Sequence, residues 1–317
     1  MGAEGIALGS APTEQRVEVL LAIARDFGMG IPLEQLQWLM AGAEDPSTPA
    51  ELERWLLARP SLAVVENGTA FAPGHARPES PGRSSRAIAF QRCAESFISG
   101  PLAPAARLTR CLAITGSVAY GNPEQGDDLD FLAVVRDGAL WTFLAWTYLC
   151  VRFRAPREAD GPSSWCFNHV LSEVSARTDY AHSRGLLFAR EALMAKPLVG
   201  GAFYRELLES APWMREELPR LYSRCLEELP KAGSASQVKA VPLVLRAANL
   251  LLFVPLAAYL QVQGLLRNWR FRRTGRTEEC FRTQTYLTRL AYVSDRFDRL
   301  IAAYDRASAR PRAAAPT

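Results

Sequence analysis

The sequence predicts a mixed α/β (α+β) protein in three parts, on three observations. Two short apolar runs, 112–115 and 131–135, flank a polar turn and read as neighbouring strands of a sheet. Residues 13–71 hold three helix patterns, then two β-prone runs on either side of Asn67-Gly68. The most apolar stretch, 241–266, has helix length and precedes a further helical pattern. The expected divisions are 13–74, 86–230 and 231–317, the last of them helical.

In chain order, residues 1–11 are small and glycine-rich and are expected to lack fixed structure. From Thr13, Val17, Leu20, Leu21, Ala24 and Phe27 recur at helical spacing. A second helix fits 32–40, with Pro32 tolerated in its first turn. Thr48-Pro49-Ala50-Glu51 supplies an N-cap, a first-turn proline and an acid three residues on, so a capped helix runs to about Arg59. Asn67-Gly68 between the runs 62–66 and 69–71 is a strong hairpin signal. Three helices and a hairpin read as a winged helix. Glu51 and Glu53 offset Arg54 and Arg59 on its third helix, leaving little attraction for phosphates. Packing, dimerisation or substrate positioning therefore ranks above DNA binding.

A Pro/Gly/Ser-rich linker, 72–86, leads to a helix over 86–99. Behind the strand pair, 139–150 carries Leu140, Trp141, Phe143, Leu144, Trp146 and Leu149, which are expected to pack on the sheet. A loop over 154–164 precedes a strand over 165–171. The apolar stretch 241–266 is interrupted by Arg246, Asn249, Pro255, Gln261 and Gln263, which argues against a membrane span. A buried helix, and no membrane partner, is the expectation. The basic tract 267–276, with Trp269 and Phe271 among its arginines, either meets nucleic acid or is a solvated helix end. A final helix is expected from Thr277 to about Ser308.

Composition narrows the function. A net charge of +4 over 317 residues is too small to demand a polyanion partner. The six cysteines (93, 111, 150, 166, 225, 280) show no metal-binding spacing and are expected to be reduced. His75, His169 and His182 are dispersed and assemble no zinc site or hydrolytic triad. No basic-then-apolar leader pattern occurs near Met1, so a cytoplasmic location is the expectation.

The chemistry lies in residues 111–135. A strand ends at Gly116-Ser117, ten residues follow, and Asp128 and Asp130 begin the next strand. Residues two apart on a strand project the same way, so the two carboxylates stand side by side. Desolvating such a pair is costly unless a cation neutralises it, and magnesium favours carboxylate and phosphate oxygens. Glycine lets backbone N–H groups approach a phosphate closely.

Gly116-Ser117, the spacer and Asp128-x-Asp130 resemble the signature of the DNA polymerase β-like nucleotidyltransferase superfamily. Cys-x-Asn at 166–168, Ala-x-Glu at 189–191 and Met-x-x-Pro-Leu over 194–198 are similar to one bacterial branch of it, which tends to carry an N-terminal winged-helix-like domain. That branch also carries a core helix where 241–266 lies. The resemblance implies a polymerase-β-like mixed sheet and transfer of a nucleoside monophosphate, AMP foremost, from a nucleoside triphosphate. The acceptor is a small molecule, a protein or an RNA end. It further implies magnesium on Asp128 and Asp130 and the β/γ-phosphates at Gly116 and Ser117; Tyr120 and Asn122, in the turn after Ser117, either touch the sugar or base or are structural. Members usually place a third carboxylate on a neighbouring strand. Here Cys166, Asn168 and Val170 are expected to share the relevant face, so Asn168 takes that place, and an amide cannot act as a base. Either the two carboxylates suffice, or Glu173, near the strand end, is the substitute acid, with Asp179 more remote. The alternative is a catalytically impaired nucleotide-binding or DNA-binding regulator.

Overall fold

The computed structural model describes residues 13–26, 28–40, 45–74, 82–155, 161–183, 185–231 and 240–294. The expectations for residues 1–11, for most of the linker with His75, and for 295–308 lie outside the described residues.

The amphipathic spacing after Thr13 builds α1 (Thr13–Asp26), whose Val17, Leu20, Leu21 and Ala24 are buried. A two-residue strand, β1 (Ile31–Pro32), leads into α2 (Leu33–Leu36), which tightens into a 3₁₀ turn over Gln37–Leu39. α3 (Pro49–Leu57) begins with the expected capping box. The Glu51 N–H donates to Thr48 Oγ1 at 3.2 Å, and the Thr48 N–H donates back to the Glu51 carboxylate at 3.2 Å. β2 (Val64–Glu66) and β3 (Thr69–Phe71) form the hairpin, with Asn67 at φ 48° and Gly68 at φ 75°. Both φ values are positive, as a two-residue turn between twisted strands requires. These strands make an antiparallel sheet in the order β1-β3-β2.

After α4 (Arg83–Ser99) and α5 (Ala103–Ala106), the larger sheet begins with β4 (Thr109–Thr115), the short α6 (Gly116–Ala119) and β5 (Leu129–Val135). There follow α7 (Leu140–Arg154), β6 (Trp165–Ser172), α8 (Glu173–His182), α9 (Leu186–Met194) and β7 (Lys196–Val199). The chain then forms α10 (Gly201–Glu209), α11 (Trp213–Glu217), α12 (Pro219–Glu228), α13 (Leu243–Arg273), β8 (Phe281–Tyr286) and β9 (Arg289–Ser294). The strand order is β7-β4-β5-β6-β9-β8, with β5 and β6 parallel and the other neighbours antiparallel. This is a mixed sheet in a mixed α/β fold.

Strand alternation divides the core into two layers. Leu112, Ile114, Phe131 and Ala133 pack with α4, α5, α7 and α13 on one face. Cys111, Ala113, Leu132 and Val134 pack with α8–α12 on the other, and that layer continues into the buried side chains of α1–α3. The acidic pair stands at the mouth of the second layer.

Three expectations are corrected. Residues 281–294 form a hairpin instead of a helix, and β9 pairs with β6 inside the sheet. Threonine and valine are stiff at χ1, and with the aromatic tyrosine they favour strands once a partner edge is offered. The 241–266 stretch is helical but largely exposed: only 11% of the most apolar part of α13 is buried. Among the described residues it is the one helix long and apolar enough to cross a membrane by length and composition. On α7, Trp141, Phe143 and Leu144 are buried as expected, whereas Trp146 and Leu149 are exposed.

Register supplies a fourth difference. The β5–β6 pairing shifts between Asp130/Cys166 and Leu132/His169, inserting one extra residue into β6. Beyond it the alternation changes parity. Val170 joins the Phe131 layer, and His169 comes to the face of Leu132. The His169 Nε2 is buried without a hydrogen-bond partner, and burial lowers its pKa to about 4, with Asp179 opposing and Arg289 reinforcing the shift. A depressed histidine pKa leaves the folded ring neutral while the unfolded chain takes up a proton, so this stability is present above pH ~6.5 and lost toward pH ~4. The expected loss is on the order of 1–3 kcal/mol over that window. His169→Gln should flatten that part of the pH profile in urea denaturation.

Candidate active site

β4 and β5 bring the two halves of the motif together. Thr115 pairs with Asp130 across the antiparallel ladder, so the turn after β4 and the acids at the start of β5 sit at one edge. Gly116 lies at φ 68°, and a Cβ there would come 2.8 Å from Asp130 Oδ2. Only glycine lets the turn lie this close to the carboxylate. Asp127, Asp128 and the start of β5 are stitched to the next loop by Ser163 N–H to Asp127 O and Leu129 N–H to Ser164 O, both 2.9 Å.

Both acids are half-buried, and each accepts a hydrogen bond from β6. The Asn168 amide donates to Asp130 Oδ1, and the Cys166 thiol donates to Asp128 Oδ2 at 3.1 Å. One ligand atom from each of Asp128, Asp130 and Cys166 falls within 4.8 Å of the others. Burial, then the Asp128 charge, raises the Cys166 pKa to about 12, so the sulfur stays a neutral donor. The two hard carboxylate ligands suit magnesium. Asp130 is raised to about 8, first by burial and then by the charges of Asp128, Glu191 and Asp127. A divalent cation would relieve that repulsion.

The predicted third acid is elsewhere. Cys166 is level with Asp130 and Ser172 with Val135, so Glu173 lies seven residues further along, roughly 20 Å away at ~3.3 Å per strand residue. Its carboxylate is paired with Arg110 at 3.3 Å and Arg177 at 3.2 Å. Asp179, the more remote candidate, is paired with Arg289. Asn168 does occupy the place facing the acids. Glu173→Gln should therefore leave any nucleotide transfer within about twofold while costing up to ~1 kcal/mol of stability, as partly exposed ion pairs do. A thermal melt beside an activity assay checks both.

Tyr120 stays near the pair but is engaged. Its hydroxyl donates to Glu191, and the Arg190 guanidinium stacks 4.7 Å from its ring centroid. Arg190 is buried, with Nε lacking a hydrogen-bond partner. Asn122 is structural: its Oδ1 accepts from Arg83 at 2.9 Å, and its N–H donates to Ser117 O at 2.9 Å. Glu191 is the site residue that sequence reasoning missed. Burial raises its pKa, the Tyr120 hydrogen bond and Arg190 opposing, and its charge reaches Asp130. Its only signal was the helical Ala189-x-Glu191 pattern, which carries no position.

Comparison with protein-family models, with curated proteins and with solved structures gave no match.

Proposed function

We propose that the protein is a metal-dependent nucleotidyltransferase. It transfers a nucleoside monophosphate, AMP foremost, from a nucleoside triphosphate to a small molecule, a protein or an RNA end. What carries the reading is one observation: the side-chain-free Gly116 turn abuts Asp130, where Asp128 and Asp130 stand together at the strand mouth. The larger sheet is read as polymerase-β-like, and α1 to β3 as a winged-helix-like unit packed against it.

In this reading Asp128 and Asp130 hold magnesium, which would supply charge neutralisation on the triphosphate. Asn168 fixes one oxygen of Asp130, and Cys166 fixes one of Asp128. Gly116 N–H and Ser117 hydroxyl groups receive the β/γ-phosphates. The acceptor oxygen forms a bond to the α-phosphorus as the bond to the β-phosphate bridging oxygen breaks, and pyrophosphate leaves. The acceptor proton goes to water or to one of the remaining acids coupled to Asp130, Glu191 or Asp127, since Asn168 cannot take it. Most of the rate enhancement then comes from placement and charge stabilisation.

The Asn168 amide at the third-acid place favours one second reading: a nucleotide-binding regulator without turnover. Incubation with each labelled nucleoside triphosphate and magnesium, followed by mass spectrometry of protein, RNA and metabolite fractions, separates the two. Incorporation supports the enzyme, and magnesium-dependent binding without incorporation supports the regulator. Absence of both refutes the site.

A further inference from the structure

α13 presents an apolar face outward. Leu251, Val254 and Leu265 are two-thirds or more exposed, and Val262 and Trp269 about half. Their spacings of three, eight, three and four residues put them on one side of the helix. The opposite side, with Asn249, Ala257, Leu260 and Gly264, is buried. A Cβ at Gly264 would meet Thr283 Oγ1 at 2.5 Å, so α13 lies tightly along β8. Held along its length against α7 and the sheet, the helix lies on the protein surface.

α7 widens this face. The Trp141 N–H donates to Asn249 Oδ1 at 2.7 Å, and Tyr148, seven residues on, is electrostatically coupled to Tyr259. The two helices therefore run side by side in the same direction, and α7 adds the exposed Trp146, Leu149 and Phe153.

Charge distinguishes the possible occupants. Neither helix contains an aspartate or a glutamate. Apart from Arg246 near the start of α13, their arginines gather at one end: Arg152 and Arg154 on α7, and Arg267, Arg270, Arg272 and Arg273 on α13. The side-by-side register sets the α7 pair about two turns before the centre of the α13 group. Trp269 lies among them, with Arg273 4.1 Å from its ring centroid. A second copy of the same face would bring no acid to meet these arginines. A bilayer carrying anionic lipid offers an apolar interior for the stripe, phosphates for the arginines, and an interfacial depth for the tryptophan.

We infer that the α7–α13 face docks peripherally on an anionic membrane surface. The inference is independent of the nucleotide chemistry. It replaces the expectation of no membrane partner, which rested on a buried helix. The test is flotation of the full chain with phosphatidylcholine vesicles and with mixed phosphatidylcholine–phosphatidylglycerol vesicles, at low and high salt. Binding to the mixed vesicles at low salt is expected. Leu251→Asp combined with Val254→Asp should reduce it by about tenfold or more, because both side chains would enter the acyl boundary. Arg272→Glu combined with Arg273→Glu should abolish the preference for anionic lipid. All four side chains are exposed, so unchanged melting temperatures are expected and serve as the folding control. Failure to float with mixed vesicles would overturn the inference. So would undiminished flotation of the double aspartate variant. A stable dimer without lipid, returned to monomer by the same variant, would make the face a subunit interface instead.

Discussion

Asp128→Asn is expected to reduce magnesium-dependent nucleotide transfer by about a thousandfold or more, the scale of several kcal/mol of lost transition-state charge stabilisation. The substitution keeps the side chain's shape but removes half of the paired charge. Asp128 is half-buried and receives the Cys166 thiol through Oδ2, a contact that an asparagine carbonyl oxygen still accepts. Global stability should therefore change little, and Asp130, relieved of a neighbouring charge, should titrate at lower pH. Labelled-nucleotide assays on the wild type and the variant, with melting curves for both, check the prediction. Unchanged turnover would refute the assigned site, and a collapsed melting curve would disprove the structural half.

Gly200→Ala is expected to cost at least ~3 kcal/mol, the sum of a left-handed backbone penalty and an overpacked contact. Gly200 sits between β7 and α10 at φ 72°. An added Cβ would lie 1.8 Å from the Arg110 carbonyl oxygen and 3.1 Å from the Cys111 Cα, all of it β4 backbone. Backbone cannot rotate away as a side chain can, so β7 would have to leave β4 near the Leu112–Val199 pair. β4 delivers Gly116 to the site, so transfer should fall along with stability. Gly121→Ala is the control. Its φ of 72° carries the same backbone penalty, yet nothing lies within 4 Å of the added carbon. About 1–2 kcal/mol is expected there. Urea denaturation of the two variants measures the difference.

Legibility in the sequence followed the range of the signal. The Thr48–Glu51 cap and the Asn67-Gly68 turn are local devices, and both form as read. The meeting of Gly116 with Asp130 was equally legible, because antiparallel neighbours joined in sequence put the end of one strand beside the start of the next. Glu173 failed for a reason that sequence distance hides. It is near the end of β6, but β6 runs parallel to β5, so its end is the one remote from Asp130. The extra residue in β6 was invisible to a period-two reading and displaced both Val170 and His169. Glu191 comes to the site from α9 through tertiary packing alone. The β8–β9 turn at Leu287-Thr288 has no glycine or asparagine, so nothing in the chain marked it. For α13, apolar composition gave the helix correctly but did not say which way its side chains faced.

A crystal structure with manganese and a non-hydrolysable nucleoside triphosphate tests whether Asp128, Asp130 and the Gly116-Ser117 turn form one site. An anomalous scattering peak is expected at roughly 2.0–2.3 Å from carboxylate oxygens of both Asp128 and Asp130, as hard-cation coordination requires, with the triphosphate reaching the Gly116-Ser117 turn. An ion held elsewhere, or a nucleotide bound away from that turn, would contradict it.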